Sequence, residues 1–166
     1  MKKFLVFLLI VLVVIQFFHP KKNSSDAVPV NGIAAAYPTS DSVRQVLAVA
    51  CYDCHSNNTH YPWYNNIQPV AWWLQNHVNE GKKELNFDEF KTFTPRRQYN
   101  KMKSLVREIR QDGMPLDSYT WMHKDALLTT AQKELLVSWA EGIRHQMEKT
   151  WPADSLAAKK PAPKKG

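Results

Sequence analysis

The run Cys51-Tyr52-Asp53-Cys54-His55 constrains this chain more than any other feature. Two cysteines with two residues between them, and a histidine directly after the second, form the pattern of covalent c-type haem attachment. Each sulfur can add to a haem vinyl group as a thioether. The adjacent imidazole is then forced close to the iron as its proximal axial ligand. The chain has only these 2 cysteines, so none is left for a disulfide network or a four-cysteine metal site. The expected cofactor is one covalent haem c, held by Cys51, Cys54 and His55.

The chain opens with Lys2-Lys3 and then runs from Phe4 to Phe18 with Gln16 as its one polar residue. As a helix this stretch rises about 22 Å, short against a hydrocarbon core of about 30 Å. No A-x-A-like cleavage site follows directly, which favours an uncleaved anchor over a removed signal peptide. Lysine pairs flank both ends, so charge alone does not orient it. Haem c is attached outside the cytoplasm, so the expected location is the periplasmic, extracytoplasmic face of a bacterial inner membrane, with residues 4–18 as the anchor.

The expected organisation is an anchor or signal over residues 1–18, a flexible Pro/Asn/Ser/Ala linker over 19–37, a haem domain over 38–150 and a disordered basic tail over 151–166. The formal charge of +7 is not spread over one surface. Residues 38–150 hold 14 Lys and Arg against 13 Asp and Glu, and the excess sits in the terminal lysines. A balanced core argues against nucleic acid as a partner.

Periodicity predicts helices throughout. Thr39 or Ser40 caps a first domain helix with Val43, Val46, Leu47 and Ala50 on one face, running into Cys51. Ser56 to Gln68 reads as loop. Pro69 opens a helix from Val70 to Glu80, which Gly81 suits as a stop. A short segment covers Phe87 to Phe93. Thr94-Pro95 opens a longer helix to about Gln111, ended by Gly113. Met114 to Leu128 reads as loop. Thr129 or Thr130 caps a last helix to about Lys149. No alternating strand pattern is present. The expected fold is all-α and cytochrome c-like, with four to five short helices around the haem, which supplies the apolar centre that so small a helical set lacks.

Iron with one histidine needs a sixth ligand. Met114 is the leading choice, because a helix stops at Gly113 and Pro115 stiffens the loop beyond. His/Met ligation raises the reduction potential relative to two imidazoles. His77 and His123 are the alternative axial residues. Among Trp63, Trp72, Trp73, Trp121 and Trp139, some are expected to wall the haem. Tyr61, Arg96 and Arg97 are candidate propionate partners.

The chain resembles single-haem cytochrome c in its helix ending at Cys51-x-x-Cys54-His55, its Gly113-Met114-Pro115 loop and its final helix. More narrowly, it resembles the small membrane-anchored haem-binding domain family of bacteria, over roughly residues 1–150. That likeness rests on Cys51 to His60, on His77-Val78-Asn79-Glu80-Gly81 with Leu85-Asn86-Phe87, and on Met114-Pro115-Leu116 through Trp121. It implies haem binding and names no reaction.

Function follows from the sixth position. A His55/Met114 iron has no open site and suits an electron carrier serving redox partner proteins at or near the membrane, rather than an enzyme. An open or displaceable position would suit a peroxidase-like enzyme or a gas sensor. A haem-binding accessory domain is the third reading. A thiol redox pair lacks its βαβ setting, and zinc would need two further ligands.

Overall fold

The structure, a computed structural model, describes residues 1–157. Its helices in chain order are α1 (Lys2–Ile15), α2 (Ile33–Ala36), α3 (Asp41–Ala50), α4 (Tyr52–His55), α5 (Val70–Glu84), α6 (Pro95–Arg110), α7 (Asp117–Met122), α8 (Thr130–Thr150) and α9 (Ala153–Leu156). Three 3-10 turns, Trp63–Asn66, Phe87–Thr92 and Lys124–Ala126, complete the set. No strand occurs among the described residues, so the fold is all-α as expected. The helices outnumber the four to five expected, because α2, α4, α7 and α9 are too short to show a periodic face.

The chain forms two compact units. Met1–Val28 and Cys51–Phe87 make the first; Pro29–Ala50 and the chain from Asp88 on make the second.

The second unit is built on α6 and α8, which pack on each other. Met102, Val106 and Ile109 of α6 are buried, as are Leu136, Ala140, Ile143 and Met147 of α8. Spacings of three and four residues put each set on one stripe. Both helices are capped where the sequence places the signals. The Thr94 side chain accepts from the Arg97 N–H, ahead of Pro95 at the first helical position. Thr129 and Gln132 form a reciprocal capping box. The stop of α6 differs by one residue from expectation. Asp112 takes the left-handed conformation (φ 56°), and the Gly113 N–H returns to the Glu108 carbonyl at 2.8 Å. Residues 117–126, expected as loop, hold α7 and a 3-10 turn. In α7 only Thr120 is buried, so no apolar stripe announced it.

Of the stretch expected as a basic tail, residues 158–166 lie outside the described residues. The part before them is placed: Leu156 of α9 is buried, and the Asp154 carbonyl accepts from Arg96 Nη2 at 2.8 Å.

In the first unit, α4 and the 3-10 turn Trp63–Asn66 both pack on α5. The helix α5 does not stop at Gly81 but continues to Glu84. Residues expected as a tether contribute contacts here. Asn23 Nδ2 donates to the Ser56 carbonyl and to Thr59 Oγ1, and Lys82 Nζ donates to Asn23 Oδ1. The expected anchor appears as the fourteen-residue α1. Among the described residues, no helix is long and apolar enough to cross a membrane.

Candidate haem-binding site

The motif forms its own small turn. Helix α3 ends at Ala50, and Cys51 breaks the helical run with φ −132° and ψ −41°. The N–H groups of Cys54 and His55 then both return to the Cys51 carbonyl, at 3.2 and 3.0 Å. This single turn holds both thiols and the imidazole together. Neither cysteine is in a disulfide, and both are half-buried.

Two residues of α5 and its exit set the turn in place. Gly81 lies against it: a Cβ there would sit 2.5 Å from the Cys54 carbonyl oxygen and 3.0 Å from the Cys54 Cβ. Glycine inside a helix costs about 1 kcal/mol relative to alanine. Here it is what lets the motif backbone approach. Just beyond, the Leu85 carbonyl lies 2.8 Å from His55 Nδ1. A carbonyl only accepts, so Nδ1 carries the proton and Nε2 keeps its lone pair for a metal. Such a second partner fixes both tautomer and ring orientation. Phe87 meets the His55 ring edge-on at 6.2 Å between centroids and the Tyr52 ring at 5.7 Å. Asn86 Nδ2 donates to Asn57 Oδ1 at 2.8 Å, which ties the loop after His55 to the same exit.

Burial pushes the Cys51 thiol up to about 12, with Cys54 adding to the rise. Burial, then the Asp53 carboxylate, pushes Cys54 up to about 11. Reactive redox cysteines are shifted the other way, toward the thiolate. Among the described residues, no group of three or more His, Cys, Asp and Glu side chains is placed to hold a metal ion. The direction of the thiol shifts is not that of a reactive redox pair. Two protonated thiols beside an imidazole held through Nδ1, with Phe87 packed on its ring, make a donor set that fits haem.

The other expected site residues divide. Met114 belongs to the second unit. It is 37% exposed and precedes a cis peptide bond to Pro115. His77 lies on α5, with Nδ1 at 2.9 Å from the Trp73 carbonyl and its ring 4.3 Å from the indole. His123 follows α7, with Nδ1 3.1 Å from the Tyr119 carbonyl and its ring stacked on Tyr119. Both rings therefore have Nδ1 engaged one helical turn back.

The candidate propionate partners are already in use. Tyr61 donates to Gln75 Oε1 and accepts from the Asn23 N–H, both at 2.7 Å. Arg96 and Arg97 belong to the second unit, where Arg97 lies over the Phe93 ring. The Trp139 indole donates to the Pro38 carbonyl at 3.2 Å. The positioning roles of Gly81 and of the Leu85 carbonyl were missed by sequence reasoning. Gly81 read as a helix stop, and a backbone carbonyl has no sequence signal.

Compared with known proteins, residues 10–142 match the haem-binding domain family. No curated protein and no solved structure matches the chain.

Proposed function

We propose that this chain, which belongs to the haem-binding domain family, is a c-type cytochrome that carries electrons at the extracytoplasmic face of a bacterial inner membrane. In this reading the domain is cytochrome c-like and holds one haem. Cys51 and Cys54 bind it by thioethers, His55 Nε2 is the proximal ligand and Met114 is the sixth. Residues 4–18 anchor it, and redox proteins at the membrane are its partners.

The observation that carries the reading is the hydrogen bond from His55 Nδ1 to the Leu85 carbonyl. In the neutral ring it puts the lone pair on Nε2 and it holds the ring still, which is what a permanent axial ligand requires. The neutral thiols suit attachment. Each would add its sulfur and its hydrogen across one haem vinyl group, so that nothing leaves. When bound, haem supplies a one-electron iron couple. The protein's part is to fix the ring, keep the carbonyl–imidazole bond in both redox states and shield the site with Phe87.

A second reading, an enzyme or sensor with a displaceable sixth position, draws on Met114. That side chain is more than one-third exposed and lies in the other unit from His55.

The test uses the full chain made with the haem-attachment machinery. Haem is expected to survive a denaturing gel. The oxidised protein is expected to show the weak far-red sulfur-to-iron band, which Met114→Ala abolishes. A high-spin wild type that takes up carbon monoxide moves the second reading ahead. Absence of covalent haem sinks both.

A further inference from the structure

The first unit carries a feature that haem attachment does not use. Helix α1 buries none of its residues. A helix that is apolar all round belongs in an apolar surrounding. Its rise is about 21 Å, against a hydrocarbon core of about 30 Å.

The chain leaving α1 is latched to the unit. The Gln68 N–H donates to Gln16 Oε1 at 2.9 Å, and Gln16 Nε2 donates back to the Gln68 carbonyl at 3.2 Å. The Phe18 carbonyl accepts from Gln68 Nε2 at 2.7 Å and from the Trp72 indole N–H at 2.9 Å. Gln68 itself is buried. Beside this polar latch, large apolar side chains stand exposed. Phe17 is 81%, Phe18 61%, Trp63 72%, Ile67 45%, Trp72 40% and Trp73 50% accessible. Lys21 and Lys22 follow directly in the chain.

Helix geometry places this latch away from the thiols. Gly81 meets Cys54. Trp72 precedes Gly81 by nine residues, which is about 13 Å along α5 and about half a turn round it. The Trp72 side of α5 is thus the one joined to the α1 exit, opposite the side that receives the motif.

We infer that this aromatic surface seats in the headgroup layer of a phospholipid bilayer, beside the end of α1, so that the haem unit is clamped to the membrane. The inference rests on the proposed anchoring by residues 4–18 and deepens it. Tryptophan suits that layer because its ring is apolar and its N–H is polar. A helix shorter than the hydrocarbon core is accommodated when flanking residues fill the interface. Lys21 and Lys22 add attraction to anionic lipid.

The test uses the full-length holoprotein in phosphatidylcholine/phosphatidylglycerol vesicles carrying bromine at a shallow or a deep acyl position. The protein is expected to float with the vesicles, and its tryptophan emission to be quenched more by shallow bromine. Trp63→Ser/Trp73→Ser should still float and keep its haem, with less of the emission open to bromine. Flotation without quenching in wild type overturns the clamp and leaves the anchor standing. Failure to float removes the anchor and the clamp together. Loss of haem in the double variant would assign these tryptophans to the haem pocket and overturn the clamp.

Discussion

The two units are held by different means. Of the buried apolar residues among those described, fifteen lie in the second unit and four, Ala71, Val78, Leu85 and Phe87, in the first. The second unit is an ordinary helix-pair core, built on the apolar stripes of α6 and α8. The first spends its order on polar latches, at Asn23 and Gln68, and on a glycine that lets two backbones meet. A unit with so little apolar burial is under-stabilised by the usual scaling of burial with size. A covalent haem would supply the missing apolar mass. The lesson is that the site sits where the protein's own core is thinnest.

The sharpest way to break that contrast is to remove the haem. In Cys51→Ser/Cys54→Ser, amide exchange is expected to quicken by more than about tenfold at Val78 and Leu85, while α6 and α8 keep their protection. Equal loss in both units would show that the haem serves the whole chain as one core. Leu136→Ala provides the converse. Leu136 is fully buried in α8, and its truncation is expected to cost about 2–5 kcal/mol. Denaturant unfolding should record that loss, and the haem should remain attached and low-spin. Loss of the far-red band in this variant would instead show that the α8 core holds Met114, which belongs to the same unit, in place as the proposed ligand.

What the sequence made legible follows the same divide. Caps and stripes are local, so Thr94-Pro95, the Thr129 cap and the Val43–Ala50 face were all readable. The Cys51-to-His55 motif was readable because the thioether attachment proposed for it demands residues close in sequence. The supports of the first unit were not. Asn23 reaches Ser56, Thr59 and Lys82 across thirty or more positions, and no periodic pattern records such a contact. Gly81 carried a visible signal that supports two readings, helix stop and close approach, and local rules favoured the stop. Met114 stood out for its Gly-Met-Pro setting, yet chain order alone does not say which unit it joins.

Gly81→Ala separates those two readings of the glycine. If Gly81 were merely a tolerated helix residue, alanine would stabilise α5 by about 1 kcal/mol. With the Cys54 backbone 2.5 Å from the new Cβ, the change is instead expected to destabilise the first unit by about 1–3 kcal/mol, the usual range for overpacking. The yield of covalent haem should fall with it, read by haem stain per mole of protein. A gain in stability at full haem yield would mean that the motif and α5 do not close as described.

The smallest expected effect is at Asn23, and it tests whether the chain beyond α1 is part of the first unit at all. Its side chain makes three hydrogen bonds, to the Ser56 carbonyl, to Thr59 Oγ1 and from Lys82 Nζ. Each is part-buried, so water recovers some of the loss on truncation. With a net worth of about 0.5–1.5 kcal/mol per bond, Asn23→Ala is expected to cost about 1–2 kcal/mol. The loss should be local: Ser56 and Thr59 lie one and four residues after His55, and their amides should exchange faster. Asn23→Asp sharpens the point, because a carboxylate keeps the bond from Lys82 but cannot donate to the Ser56 carbonyl. It should recover only part of the loss, and less still at high salt, where the Lys82 pairing is screened. If both variants leave exchange at Ser56 and Thr59 unchanged, residues 19–28 act as a free tether. The first unit would then rest on α4, α5 and the Gln68 latch, with the proposed haem.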